Sequence, residues 1–178
     1  NALKRLGFEA VITSDIETIK NADKVIFPGV GEASSAMKKL QERGLDIVIP
    51  NLKQPVLGIC LGMQLMCNAS EEGNTKALGI FDCEVKLFPN SDIVPHMGWN
   101  NVAEMKGKLL ENISETNNFY FVHSYYAEVG ESTTSVCDYI TPFSATLEKD
   151  NFYAAQFHPE KSGDAGFKLL ENFLNLRF

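Results

Sequence analysis

Gln54-Pro55-Val56-Leu57-Gly58-Ile59-Cys60-Leu61-Gly62-Met63-Gln64 reads as a buried apolar strand, Val56 to Ile59, that turns sharply at one cysteine into an apolar helix (Leu61, Met63, Leu65, Met66). A reactive side chain at a tight strand-to-helix turn is the nucleophile-elbow arrangement. Gly58 and Gly62 flank the cysteine, and small residues there are expected to permit the turn and the approach of a substrate. The helix that follows brings its positive end to the sulfur and favours thiolate over thiol. Taken alone, Cys60 reads as a small buried residue of a strand–loop–helix unit. Its meaning depends on what surrounds it.

The flanking sequence repeats the strand–helix alternation. Asn1 to Leu6 looks like a helix end with Gly7 as its C-cap, and Phe8 to Thr13 alternates like a short strand. Asp15 to Ala22 reads as a short helix, and Lys24 to Phe27 as a buried strand stopping at Pro28-Gly29-Val30-Gly31. Glu32 to Arg43 is amphipathic and ends at Gly44, and Leu45 to Lys53 is a second helix broken near Pro50. After the cysteine the helix is expected to reach about Cys67. Strands and helices joined by short loops predict an α/β fold, with a mostly parallel sheet covered by helices on both faces.

The second half is richer in strands. Ile80 to Phe88, Phe119 to Tyr126, Ser135 to Ile140, Phe143 to Lys149 and Phe152 to Phe157 all carry strand patterns. Val94 to Val102 reads as a loop leading into another, and Ala165 to Leu176 closes the chain as an apolar helix. These predict an antiparallel extension of the sheet.

With 178 residues, 44% hydrophobic and 22% charged, the chain is expected to form one domain over residues 1–178. The net charge of −7 without a basic run argues against nucleic acid as a partner. No apolar stretch reaches transmembrane length. Cys60, Cys67, Cys83 and Cys137 lack CxxC spacing, which argues against a zinc site or disulfide framework and for reduced thiols in a cytoplasmic protein. The sequence opens at Asn1 inside a helix pattern, so the natural N-terminus is expected to precede it.

Three loops carry chemistry, each at the carboxyl end of an expected strand, where open α/β sheets place their sites. In Gly29-Val30-Gly31 the glycines can turn backbone N–H groups toward an anion. Cys60 is the second. In His158-Pro159-Glu160 a carboxylate two positions after an imidazole can orient and charge-stabilise it. A thiol, a histidine and an acid together form the general pattern of a nucleophile with an oriented base. Cys67, Cys83 and Cys137 read as small buried residues, and His123, inside an aromatic run, as a packing or hydrogen-bonding residue.

Gly58-Ile59-Cys60-Leu61-Gly62-Met63-Gln64, with Gln156-Phe157-His158-Pro159-Glu160 downstream, resembles the class I, triad-type glutamine amidotransferases. The resemblance covers essentially the whole chain and implies their flavodoxin-like fold. Phe27-Pro28-Gly29-Val30-Gly31, Pro95-His96-Met97-Gly98-Trp99-Asn100 and Lys161-Ser162-Gly163 are similar to the glutaminase subunits of imidazole glycerol phosphate synthases, in histidine biosynthesis. The resemblance implies Cys60 as nucleophile, His158 as proton carrier and Glu160 as its orienting acid. It implies oxyanion donors at Leu61 and in Gly29–Gly31, and glutamine contacts at Gln64, Glu72, Ser124 and Tyr125. It further implies a (β/α)8 barrel cyclase as partner, supplied with ammonia and met by His96, Met97, Trp99, Asn100, Tyr120 and Lys161, with no cofactor or metal. The family's opening strand is expected to precede Asn1, leaving its neighbours unpaired.

Other readings share parts of this pattern. A class I amidotransferase of anthranilate or pyridoxal phosphate synthesis would carry Cys60, His158 and Glu160 without the Pro-His-Met-Gly-Trp-Asn and Lys-Ser-Gly segments. A dienelactone-type hydrolase would place an Asp between nucleophile and histidine, whereas here the acid follows His158. A binding module would have lost part of the triad.

Overall fold

The computed structural model describes residues 1–177, and the strand before Cys60 lies inside its largest sheet. In chain order the elements are α1 (Ala2–Arg5), α2 (Ile16–Asn21), β1 (Val25–Gly29), α3 (Ala33–Glu42), α4 (Leu45–Val48), β2 (Val56–Cys60) and α5 (Leu61–Leu65). There follow β3 (Ala69–Ser70), β4 (Thr75–Lys76), β5 (Glu84–Leu87), β6 (His96–Asn101), β7 (Asn118–His123) and β8 (Tyr125–Ala127). The last are β9 (Thr133–Tyr139), β10 (Thr141–Lys149), β11 (Phe152–Ala155) and α6 (Gly163–Leu174).

The five-stranded sheet runs β1-β2-β11-β10-β9. β1, β2 and β11 are parallel, and β10 and β9 extend the sheet antiparallel, the mixed arrangement the sequence predicts. Period-2 alternation sends successive side chains of β2 and β11 to opposite faces. Val56 and Ala154 pack with Met63 and Met66 near α5, while Leu57, Ile59, Tyr153 and Ala155 pack with Leu169, Leu170 and Phe173 of α6. Each large apolar side chain so buried contributes roughly 1.5–3 kcal/mol, and both faces of the central strands are covered. A four-stranded sheet, β4-β3-β5-β8, and the antiparallel ribbon β6-β7 complete the fold. Among the described residues no helix is long and apolar enough to cross a membrane.

Several boundaries differ from the sequence expectation. Phe8 to Thr13 forms no strand: among the described residues it pairs with no neighbour, and Val11 and Ile12 are exposed. Alternation alone does not make a ladder without a partner. β1 runs on through Pro28 and Gly29, which an edge strand tolerates because one side needs no partner. α5 stops at Leu65, two residues early, because Cys67 donates back to Gln64 and the chain turns toward β3. Only Glu84–Leu87 of the Ile80–Phe88 segment is strand. The aromatic run Phe119 to Tyr126 is two strands in different sheets, broken at Ser124. Val94 to Val102, expected to be a loop leading into a strand, is mostly the strand β6 itself.

Candidate active site

β2 delivers Cys60 at the carboxyl edge of the sheet, beside Gly29 at the end of β1. Cys60 adopts φ 55° and ψ −113°, a conformation that costs a non-glycine residue of order 1–3 kcal/mol. The strain of the elbow therefore sits on the cysteine. The sequence suggests that Gly58 and Gly62 ease the turn, but neither has positive φ. Their role is packing. A Cβ on Gly62 would be driven into the Phe27 carbonyl oxygen, and one on Gly58 would stand 3.0 Å from the Met63 nitrogen. The two glycines let α5 lie directly on β1 and β2.

His158 arrives from β11 through Gln156 and Phe157, and Pro159 turns the chain so that Glu160 comes back to it. Its Nδ1 lies 2.8 Å from Glu160 Oε1. Its backbone N–H donates to Tyr120, and the Ser162 hydroxyl donates to its carbonyl while accepting from the Tyr120 N–H. The imidazole is thus fixed in position. The Cys60 sulfur, and then the Glu160 carboxylate, raise His158 to about 9 against the opposing effect of burial. Burial works to raise Glu160, yet its hydrogen bond with His158, a backbone N–H and the charges of His158 and Lys161 hold it below the usual carboxylate range.

A cavity of about 350 Å³ joins Cys60 and His158 to Gly29, Val30, Gly31, Leu61, Gln64, Glu72, Ser124 and Tyr125. All the residues expected for the nucleophile, oxyanion and glutamine contacts therefore line one cavity, with Glu160 directly behind His158. Gly31 has φ 102° and Val30 is exposed, so the Gly29–Gly31 loop stands at the mouth. Leu61 opens α5 directly after Cys60, so its N–H has no intrahelical acceptor and can donate at the elbow. Glu72 accepts from the Ala33 N–H at 2.7 Å, and burial raises its pKa above the usual carboxylate value despite that bond. A second cavity of about 540 Å³ lies on the other side of His158, against Ile26, Ile59, Glu160 and Lys161.

Gln64 is buried, and its amide donates at 2.9 Å to both the Tyr125 carbonyl and Gln156 Oε1. Its side chain braces the wall, and its carbonyl oxygen is the part left to meet a ligand. Gln156, in turn, directs its amide at Cys60 Sγ, 3.8 Å away. Sequence reasoning gives Gln156 no role of its own, and the one cue it offers is an uncharged polar residue ending an apolar strand. His123 is the hydrogen-bonding residue its aromatic setting suggests. Its Nδ1 bonds the Tyr125 carbonyl at 2.8 Å and its Nε2 lies 3.1 Å from His96 Nδ1, which fixes the corner at Ser124.

His96, expected on a partner-facing surface, is buried. It stacks on Tyr139 and Phe121. β6 alternates, so Met97 and Trp99 face outward while His96, Gly98 and Asn100 face in, Asn100 remaining half-buried. Trp99 meets Tyr120 across the ribbon, ring centroids 5.8 Å apart, and Lys161 is exposed three residues beyond His158.

The family model for glutamine amidotransferase class-I matches residues 2–176. The imidazole glycerol phosphate synthase subunit HisH of Bacteroides fragilis (strain YCH46) is 61% identical over 98% of this chain and 91% of that protein. The protein of the same name from Vibrio parahaemolyticus is 47% identical over 98% of this chain and 90% of its own length. A glutamine amidotransferase of known crystal structure superposes with TM-score 0.70 at 22% identity, covering 97% of this chain and 88% of that one, which speaks to the fold alone. The match along nearly the full length, together with the mixed sheet, means that this chain belongs to the class I glutamine amidotransferase family.

Proposed function

We propose that this chain is the glutamine-hydrolysing component of an imidazole glycerol phosphate synthase, acting in histidine biosynthesis in the cytoplasm. The observation that carries the reading is the strained Cys60 elbow opening into one cavity with His158, itself held by Glu160. Cys60, its thiol proton already taken up by His158, attacks the carboxamide carbon of glutamine. The raised proton affinity of His158 favours that transfer, and the imidazolium then protonates the departing ammonia. The Leu61 N–H and an N–H of the Gly29–Gly31 loop hold the tetrahedral oxygen. Water releases glutamate from the γ-glutamyl thioester. Glu72, Gln64, Ser124 and Tyr125 bind the amino-acid end of the substrate.

Ammonia is the useful product, so a second site must consume it. The relatives' name, which makes each of them one part of a synthase, supports a cyclase partner, which we take to be a (β/α)8 barrel. Met97, Trp99, Tyr120 and Lys161 are the surface we assign to it, while Asn100, expected there from the sequence, lies on the inner face of β6 with His96. Exposed Met97 and Trp99 side by side on β6 support that assignment. The Cys60→Ala complex should lose glutamine-dependent synthesis by roughly a thousand-fold or more and keep synthesis from added ammonia. Glutamine hydrolysis surviving in that variant would overturn the assignment of the nucleophile.

A further inference from the structure

Two thiols that the glutaminase reaction does not use lie in contact. Cys67 is fully buried just past the end of α5, and Cys83 is half-buried ahead of β5, with their sulfurs 3.3 Å apart. The backbone on both sides is pinned. The Asn68 N–H donates to the Cys83 carbonyl at 3.0 Å, the Gly79 N–H donates to the Cys67 carbonyl at 2.8 Å, and Ala69 and Ser70 pair with Glu84 and Val85. The strand pairing thus holds the two residues side by side, with their sulfurs in contact. A disulfide bond of about 2.05 Å requires them to close by only about 1.3 Å from 3.3 Å.

We propose that Cys67 and Cys83 form a reversible disulfide site that takes a hydroperoxide as its oxidant. The asymmetry of the pair sets the order of events. Cys83 meets solvent and attacks the peroxide: its sulfur bonds one oxygen, the O–O bond breaks, and water leaves after proton transfer, giving a sulfenic acid. Cys67 then attacks the Cys83 sulfur. The S–O bond breaks, the S–S bond forms, and the oxygen leaves as a second water with the Cys67 proton. Two thiols and one hydrogen peroxide thus give one disulfide and two waters. Contact with Cys83 and burial push the Cys67 thiol well up from its ordinary value, in keeping with its role as the resolving rather than the attacking group. The bond would close residues 68–82, the segment that carries Glu72 into the cavity, and so tie that wall covalently to the end of α5.

The proposal does not depend on the glutaminase reading, and it can be tested without activity. Cys60 and Cys67 share the tryptic peptide 54–76, and Cys83 lies in 77–86. The full chain carrying Cys60→Ser removes the ambiguity. After brief hydrogen peroxide treatment and alkylation under denaturing conditions, the two peptides should appear joined, lighter by two hydrogens than their sum. Dithiothreitol should separate them, and the added Cys83→Ser change should abolish the species while the protein keeps its folded circular dichroism spectrum. Both thiols remaining open to alkylation, Cys83 accumulating as sulfinic acid unlinked, or a bond to Cys137 or between chains would each overturn it.

Discussion

Glu160→Gln isolates what the carboxylate does for His158. The ring is only 10% exposed, and its rise from 6.5 to about 9 corresponds to about 3 kcal/mol in favour of the charged form. Cys60 is the larger source and Glu160 the second. The Glu160 side chain is 40% exposed and therefore screened, so its charge is assigned about one pH unit, the low end for an adjacent opposite charge. The assay is NMR of the histidine rings, and the chain has three. Burial lowers His96 to about 4 and, with neighbouring positive charge, His123 to about 3, whereas His158 stands at about 9. In the natural protein no ring should change charge between about pH 5.5 and 7.5, with one ring protonated throughout and two neutral. Glu160→Gln should move only the alkaline transition, downward by about one unit, and Cys60→Ala should move it further. A ring titrating near 6.5 in the natural protein, or an alkaline midpoint unmoved by Glu160→Gln, would refute the electrostatic account of the dyad.

Stability should respond to acid through the other two histidines. Their folded pKa values lie below the unfolded value of 6.5, so the unfolded chain binds more protons as pH falls from 6.5 toward 4 and 3. Net of His158, whose opposite contribution grows by about 1 kcal/mol over the same range, the unfolding free energy should drop by roughly 3 kcal/mol from about pH 7 to 5, read from urea titrations at a series of pH values; a flat profile over that range would argue against a buried neutral pair. His158 acts with the opposite sign, contributing stability below 6.5 that is lost as pH rises toward 9. Gly62→Ala should destabilise by roughly 2–4 kcal/mol, because the new methyl meets the Phe27 carbonyl, a backbone atom that cannot swing away; a melting temperature within a degree of the natural protein would contradict that reading. Glu72→Gln should raise the KM for glutamine about 10- to 100-fold with a smaller effect on kcat, and an unchanged KM would remove Glu72 from the binding wall.

Cys60, His158 and Glu160 are legible in the sequence as candidate site residues because each ends an apolar strand or follows one within a few residues, where the fold must expose it. What the sequence conceals is the support behind those residues. The glycines at 58 and 62 look like turn residues on either side of Cys60, yet the unfavourable dihedral belongs to Cys60 and the glycines serve contact between α5 and the sheet. Local sequence cannot distinguish these roles, because both require the same absence of a Cβ. His96 is misread for another reason. A motif names six consecutive residues, but a strand divides them between two faces, and His96 falls with Gly98 and Asn100 on the inner one.

The corner at Ser124 carries this furthest. Phe119 to Tyr126 is a run of mostly strand-forming residues, and its periodicity alone does not mark the break at Ser124. The break is imposed from outside. β7 can follow β6 only as far as His123, opposite His96, while Tyr125 is already claimed by Leu87 of β5. Ser124 is left between two sheets, its carbonyl accepting from the Phe88 N–H and its residue facing the cavity. The His96–His123 pair then fixes the Tyr125 carbonyl, on which Gln64 also converges. A buried pair of neutral histidines, distant in sequence from both Cys60 and His158, thus holds the wall that faces Cys60, and acid that charges the pair should loosen that wall.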